Sequence, residues 1–278
     1  MKTGVFFNDI LKTREWPVIG NKFRNFPRVM EDVLVREDVI LFNTRPVREE
    51  LLLKVHEKEF VEDVKTRWYF EGASHTVGGC VEASEKVWMG EIDNALVFGV
   101  AAGHHAGPSS SWGGTYISCT GPAIRNLRDR FRIERFAILD TDSHHGDGTR
   151  AMFIGDRNVL HICFCSYNGE EDEGTKVDVN VGWCISDSDY LEKVREEFIA
   201  RSRVFRPAML FHNLGHDTGK GDYGDRGLSR DFFIDLARTI KECSQEISGG
   251  RYLIITHGGA RREVAEHIFP RIIEVLAQ

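Results

Sequence analysis

A short apolar run followed at once by a dense polar segment is the feature that most constrains the fold of this chain. Residues 135–139 (RFAIL) are typical of a buried strand, and residues 140–148 (DTDSHHGDG) follow directly. Because alternate side chains of an extended segment share a face, we expect Asp140, Asp142 and His144 to lie together. Asp142 and His144 would then suit zinc or a similar divalent ion. A helix-capping turn would explain the carboxylates but not the adjacent histidines.

Three further apolar runs, ending near residues 100, 213 and 256, also lead into glycine with histidine or aspartate. Helical patterns separate the runs, and strands that alternate with helices indicate a mainly parallel sheet. The carboxyl ends of parallel strands share one edge, where ligands bind in open α/β folds. The sequence therefore predicts a three-layer α/β/α fold with four polar clusters at one site. Tight turns alone would explain the glycines and leave the histidines and aspartates unexplained.

Amphipathic spacing predicts the main helices, most clearly at residues 49–64. Others are expected at residues 23–34, 188–200, 230–244 and 261–276. An acidic run, residues 169–174 (GEEDEG), follows the strand that ends near residue 164 and is therefore expected at the same sheet edge as the metal. Its charge would favour cationic ligands there, although a solvated loop is the simpler alternative.

Length and composition favour a single domain, residues 1–278, of an ordinary globular protein. A net charge of −7 argues against a nucleic-acid partner. The apolar runs are too short for a signal peptide or a membrane span, so a cytoplasmic protein without a membrane partner is the expectation. Six cysteines lack Cys-x-x-Cys spacing and are expected to be reduced, mostly buried thiols.

Residues 103–106 (GHHA), residues 140–148 and the pattern Gly215-x-Asp217-x4-Asp222 together resemble the zinc-dependent histone deacetylase family of the arginase/deacetylase superfamily. The resemblance extends over nearly the whole chain and implies an arginase/deacetylase-like fold. It also implies a metal ion held by Asp142, His144 and Asp222, with an open position for water.

The resemblance further assigns proton transfer to His104 and His105, backed by Asp140 and Asp147 respectively. A helix-capping or core pair is the alternative for the two histidines. The family also holds a structural potassium ion through backbone carbonyls, and the positions that match are Asp140, Asp142, His144, Cys163 and Phe164. His145, His216 and Asp217 are expected to be structural or to support the ligands.

Two departures from the family pattern affect the expected site. The closing glycine-rich turn, residues 256–261 (THGGAR), lacks the tyrosine that donates a hydrogen bond to the tetrahedral oxyanion. His257 is the nearest candidate to replace it, with Tyr116 and Tyr223 as alternatives. Gly114 stands in the region where the family carries a Gly-Phe pair, so a wider or differently shaped acyl channel is expected.

These observations predict a zinc-dependent hydrolase acting on linear amide C–N bonds, because a metal-polarised carbonyl and a metal-activated water favour amide hydrolysis. It would remove an acyl group, most plausibly acetyl, from acetyl-lysine, an acetylpolyamine or another small acylated amine. One alternative is a metal-containing binding module with little or no activity, which the missing tyrosine favours and the two histidines oppose. A ureohydrolase of the same superfamily is the other, although its Asp-Ala-His-x-Asp element is absent. The sequence does not specify an oligomeric state.

Overall fold

A nine-stranded sheet forms the centre of the computed structural model, which describes residues 1–278. The strands run in the order β2-β1-β3-β9-β8-β4-β5-β7-β6, and every pair is parallel except β6 with β7. Their bounds are β1 Thr3–Phe7, β2 Val39–Asn43, β3 Asn94–Val97, β4 Phe136–Asp140, β5 Val159–Cys165, β6 Gly169–Glu171, β7 Lys176–Asn180, β8 Met209–Leu214 and β9 Tyr252–Thr256. The mainly parallel α/β sheet expected from the sequence is thus confirmed.

Helices pack against this sheet and against one another, with α4 on α5 and α9 on α10. Their bounds are α1 Glu31–Leu34, α2 Glu49–Leu52, α3 Lys58–Lys65, α4 Phe70–Trp88, α5 Thr120–Phe131, α6 Asp147–Phe153, α7 Asp187–Lys193, α8 Ala200–Phe205, α9 Phe232–Ser248 and α10 Arg262–Leu276. A π-helical segment, Val194–Ile199, joins α7 to α8. No helix is long and apolar enough to cross a membrane. All six cysteines are free.

The four strands that carry the polar clusters, β3, β9, β8 and β4, are consecutive neighbours at the centre of the sheet. Every residue of these strands is buried, which agrees with their mainly apolar composition in a sheet that helices cover. The register pairs Val97 with Ile255, Ile255 with Asn213 and Asn213 with Asp140. The four strands therefore end at nearly the same level, and the loops after them share one rim.

The single helix predicted for residues 49–64 is wrong, because the chain turns between α2 and α3. His56 lies in that turn and is buried, with Nδ1 2.8 Å from the carbonyl oxygen of Gly107. Its Nε2 accepts a hydrogen bond from the backbone N–H of Ser118 at 3.2 Å. The helix predicted for residues 23–34 forms only from residue 28 on, as a 3₁₀ turn followed by α1. Its first part is wrong, because Pro27 cannot donate a backbone hydrogen bond within a helix.

The acidic run also differs from expectation, because it leaves the rim instead of lining it. Residues 169–171 form β6, which runs antiparallel to β7 and carries the chain back toward the starting end of the parallel strands. At that end Asp172 accepts a hydrogen bond from the backbone N–H of Gly155, before β5 begins. The glutamates are paired with arginines: Glu170 with Arg201, Glu171 with Arg150 and Glu173 with Arg157. The run therefore places little uncompensated charge at the site.

Candidate metal centre and active site

Loops that follow the four central strands enclose a cavity of about 180 Å³ at the rim of the sheet. Its lining includes most of the polar residues singled out in the sequence, namely His104, His105, Asp142, His144, Tyr223 and His257. Residues 99–102, whose side chains are small and apolar, line another part of its wall. The cavity thus combines an apolar wall with convergent titratable groups, which is the usual composition of a small-molecule site.

Asp142, His144 and Asp217 form a compact group of potential metal ligands at this rim. Their ligating atoms all lie within 4.8 Å of one another. Nδ1 of His144 is 3.1 Å from Oδ1 of Asp142 and 3.0 Å from Oδ2 of Asp217. Both aspartates are almost fully buried, at 2% and 0% exposed. Two carboxylates and an imidazole in this arrangement match the donor set of a three-ligand divalent metal site.

Asp222 lies outside this group, so its expected place among the ligands is corrected in favour of Asp217. The Asp222 carboxylate accepts hydrogen bonds from the backbone N–H groups of Ala260, at 3.0 Å, and of Arg261, at 3.1 Å. It also accepts one from the N–H of Tyr223 at 2.8 Å. With these bonds to the backbone, Asp222 fastens the loop after β8 to the loop after β9.

The charges of the group fit a bound cation. Burial and the neighbouring Asp142 carboxylate raise the pKa of Asp217. Burial also opposes ionisation of Asp142, but His104 and His144 outweigh it and hold the pKa of Asp142 below its ordinary value. Oδ2 of Asp217 is buried, and its approach to His144 lacks hydrogen-bond geometry, which leaves this oxygen without a partner. A divalent ion would satisfy that oxygen and reduce the repulsion between the two carboxylates.

His104 lies beside this group and contacts Asp140, the last residue of β4. Its Nδ1 is 3.0 Å from Oδ2 of Asp140, and its Nε2 is 3.6 Å from Oδ1 of Asp142. Burial disfavours the charged imidazole, but the carboxylates of Asp140 and Asp142 outweigh that effect and raise the pKa of His104 to about 9. The contact with Asp140 fixes the ring so that Nε2 is directed toward Asp142, one of the potential metal ligands.

His105 is held by a second carboxylate and by an indole. Its Nδ1 is 2.7 Å from Oδ1 of Asp147, the first residue of α6. Trp112 donates a hydrogen bond from its indole N–H to the other Asp147 oxygen at 2.7 Å, and its ring lies 3.8 Å from the His105 ring between centroids. Burial, followed by the charge of His104, lowers the pKa of His105. The two adjacent histidines thus have separate carboxylate partners, and their pKa values are shifted in opposite directions, upward for His104 and downward for His105.

His257 is also buried at the cavity, but its orientation does not suit the donor role considered for it. Its Nδ1 is 3.1 Å from the carbonyl oxygen of Ile255, which can only accept, so Nδ1 carries the ring proton. Burial and the charge of His104 lower the pKa of His257 to about 4. The neutral ring therefore presents a lone pair at Nε2, an atom without a hydrogen-bond partner, and cannot stabilise an oxyanion from there.

Lys22 is a buried residue of this region that the sequence pattern did not indicate. Its ammonium group donates hydrogen bonds to the carbonyl oxygens of His257 and, at 3.2 Å, Gly258. Burial lowers the pKa of Lys22 to about 7, although Asp217, Asp222 and Asp142 oppose that shift. The lysine thus fixes the backbone of the glycine-rich turn at residues 256–261. A lone lysine outside any motif gives no sequence signal for such a role.

The expected opening of the channel at Gly114 is filled by the amino-terminal loop. A Cβ atom at Gly114 would lie 2.9 Å from the carbonyl oxygen of Pro17 and 3.0 Å from Cγ2 of Val18, so only glycine allows this contact. Val18 has a φ angle of 66°, which is strained for a β-branched residue. Both Val18 and Trp112 line the cavity. These two side chains line the cavity near Gly114, which agrees with a differently shaped channel and not with a wider one.

Cys163, Cys165 and Asp178 form a second group whose ligating atoms lie within 4.8 Å of one another. Asp178 is already paired there, because the guanidinium of Arg150 donates hydrogen bonds to both its oxygens at 2.7 and 3.2 Å. The arginine gives this carboxylate a structural role. The Cys163 thiol accepts a hydrogen bond from the backbone N–H of Gly146 at 3.3 Å and so supports the turn after the metal ligands.

Comparison with known proteins identifies the family of this chain. Residues 66–276 match the histone deacetylase domain. The chain belongs to the histone deacetylase family. Among curated relatives, it is 27% identical over 244 residues to the histone deacetylase-like amidohydrolase of Pseudomonas aeruginosa, covering 77% of this chain and 64% of that protein. It is 29% identical over 223 residues to human histone deacetylase 9, covering 71% of this chain and 22% of that protein.

Two further comparisons concern a yeast relative and the fold of a solved structure. Histone deacetylase HDA1 of Saccharomyces cerevisiae is 26% identical over 258 residues, which cover 77% of this chain and 36% of the yeast protein. The crystal structure of the HDA15 HD domain superposes with a TM-score of 0.87 at 20% identity, over 99% of this chain and 89% of that one. The chain therefore has the histone deacetylase fold, while it spans less than two thirds of the curated relatives' lengths.

Proposed function

We propose that this protein is a metal-dependent amidohydrolase that removes an acyl group, in particular acetyl, from an amine. The observation that carries the proposal is the convergence of Asp142, His144 and Asp217 beside the two paired imidazoles of His104 and His105. A binding module needs the pocket but has no use for two proton-transfer groups, each oriented by its own carboxylate. Hydrolysis requires both, since a water loses a proton and the leaving amine gains one.

The ligand group suits zinc, with Asp142, His144 and Asp217 as the three protein ligands. Zinc bound there would polarise the amide carbonyl and lower the pKa of a water molecule. The protein supplies the remaining requirements. Asp140 and Asp147 orient His104 and His105, while Trp112 covers the His105 ring and holds the second oxygen of Asp147. These contacts fix the atoms that accept and return protons.

The shape of the cavity indicates the class of substrate. Its apolar wall at residues 99–102 suits a short acyl group. Trp112, His144 and Tyr223 line both this cavity and an adjoining open groove, which Tyr167 and Trp183, at 62% and 80% exposed, also line. An acetylated amine with a flexible stem, such as acetyl-lysine or an acetylpolyamine, would reach the ligands from this groove. The relatives' names support the same reaction class.

The test combines metal analysis with turnover. Zinc-loaded protein should contain one tightly held catalytic ion per chain and hydrolyse members of a panel of acetyl-lysine peptides, acetylpolyamines and small acetamides. His105→Ala should retain the ion and lose most of the turnover, about 100-fold or more, because proton transfer contributes a factor of this size. A protein that binds zinc and acetylated amines without hydrolysing any of them would be a binding module. Two catalytic ions per chain would favour a ureohydrolase.

A further inference from the structure

The closing loop after β9 lacks a tyrosine of its own but holds one from the neighbouring loop. The backbone N–H of Gly259 donates a hydrogen bond to the hydroxyl oxygen of Tyr223 at 2.9 Å. The next two amides, of Ala260 and Arg261, donate to the carboxylate of Asp222. Three consecutive amides of the closing loop are thus bonded to two consecutive residues of the loop after β8. This clamp fixes the position of the Tyr223 side chain.

The clamp places the Tyr223 hydroxyl beside the metal ligands. A Cβ atom added to Gly258 would lie 2.4 Å from Oδ2 of Asp142, 2.8 Å from the Tyr223 hydroxyl oxygen and 2.9 Å from Cγ of Asp217. These three atoms therefore surround the same small space. The rings of Tyr223 and His144 are 5.7 Å apart between centroids. Tyr223 also lines the cavity. Its hydroxyl therefore reaches the space where the carbonyl of a bound amide would meet the ligand group.

The hydroxyl has a proton to offer. A phenol donates one hydrogen bond and accepts up to two, and the oxygen of Tyr223 accepts one from Gly259 while its O–H donates to no group of the protein. The other candidates do not meet this requirement. His257 presents a lone pair, and Tyr116 is stacked on Tyr69, with ring centroids 3.7 Å apart, away from the cavity lining.

We propose that the Tyr223 hydroxyl donates the hydrogen bond that stabilises the oxyanion formed when water attacks the amide carbon. The residue replaces, from the loop after β8, the tyrosine that the loop after β9 lacks. It keeps its proton throughout, because the attacking water loses its proton to a histidine and the leaving amine receives one. Asp222 acts as a positioning residue through the clamp. The inference rests on the proposed amidohydrolase function.

The experiment compares wild type with Tyr223→Phe, both loaded with zinc, and uses two inhibitors with the same stem. A trifluoromethyl ketone hydrates to a tetrahedral centre that resembles the attacked amide, whereas a thiol binds the metal without such a centre. Tyr223→Phe should bind the ketone about 10- to 100-fold more weakly, as expected for loss of a hydrogen bond to a charged oxygen, and bind the thiol as before. Its kcat should fall about 100-fold with little change in KM. Metal content should be unchanged.

Tyr116→Phe is the matched control and should leave both affinities and kcat at wild-type values. Equal affinity of wild type and Tyr223→Phe for the ketone would overturn the proposal, as would an equal loss for ketone and thiol, which would indicate general damage to the pocket. Wild-type protein that hydrolyses no acetylated amine would refute the proposed function. The ketone-to-thiol comparison would still decide whether Tyr223 contacts a tetrahedral centre.

Discussion

Asp217 and Asp222 belong to the same loop, yet their carboxylates have different partners. Asp217 follows shortly after the end of β8 and is fully buried beside Asp142 and His144. Asp222 accepts hydrogen bonds from backbone N–H groups of Ala260 and Arg261. The sequence pattern contains both residues and does not say which one completes the ligand group. The distance along the chain from the end of the strand distinguishes the two aspartates. Asp217 lies close behind β8, as Asp142 lies close behind β4.

This difference predicts opposite results for two conservative substitutions. Asp217→Asn should lose zinc, because an amide oxygen replaces one of the anionic ligands. Asp222→Asn should keep zinc and lose turnover through misplacement of Tyr223, since the clamp loses its charge-assisted hydrogen bonds. Metal content after dialysis, measured beside kcat, separates the two variants. Loss of zinc in Asp222→Asn with full retention in Asp217→Asn would restore the ligand set first expected from the sequence.

At the scale of elements, the sequence predicted what depends on local composition and missed what depends on distant contacts. The buried strands β4, β5, β8 and β9 are short, mainly apolar runs, so their positions follow from the sequence alone. The break between α2 and α3 depends on His56, whose partners Gly107 and Ser118 lie far along the chain. The course of the acidic run likewise depends on β6 pairing with β7 and on arginines from three other segments.

The position of the acidic run predicts that its charge has no role in substrate choice. Glu170→Gln with Glu173→Gln should leave kcat/KM unchanged for matched cationic and neutral acetamides, at low and at high salt. Both glutamates form exposed ion pairs, which contribute roughly 0 to 1 kcal/mol each, so the unfolding free energy should change little. Asp225→Asn, which removes a carboxylate beside the groove at the rim, is the comparison. A cationic preference that disappears in the double glutamate variant would show that the charge of the acidic run does influence substrate choice.

For the whole molecule, the strand order determines how the site is assembled. The sequence predicted four polar strand ends along one rim, but their adjacency comes from the order β3-β9-β8-β4, in which strands distant in the chain are neighbours. That order brings the closing loop after β9 beside the loop after β8 and so permits the contact between Gly259 and Tyr223. Replacement of a missing side chain by one from an adjacent loop depends on this topology, so the sequence could name Tyr223 only as one of several alternatives.

Two histidines buried in the interior predict how the stability of the protein depends on pH. His56 and His212 are buried and neutral, and burial lowers the pKa of His56 to about 4 and that of His212 to about 3. In the unfolded chain a histidine has a pKa of about 6.5. Below pH 6.5 the unfolded state therefore binds protons that the folded state does not, so the free energy of unfolding falls as pH falls, until the folded pKa is reached.

Between pH 7 and pH 5 each of the two histidines should cost up to about 2 kcal/mol of unfolding free energy. Urea denaturation of metal-free protein in chelator measures this loss, and His56→Gln isolates one contribution, because other titrating groups, including the metal ligands, are common to both proteins. The variant should be less stable at pH 7, where the packing and hydrogen bonds of His56 are lost, and its stability should fall less steeply toward pH 5. Parallel curves for wild type and His56→Gln would show that His56 is not held neutral by the fold.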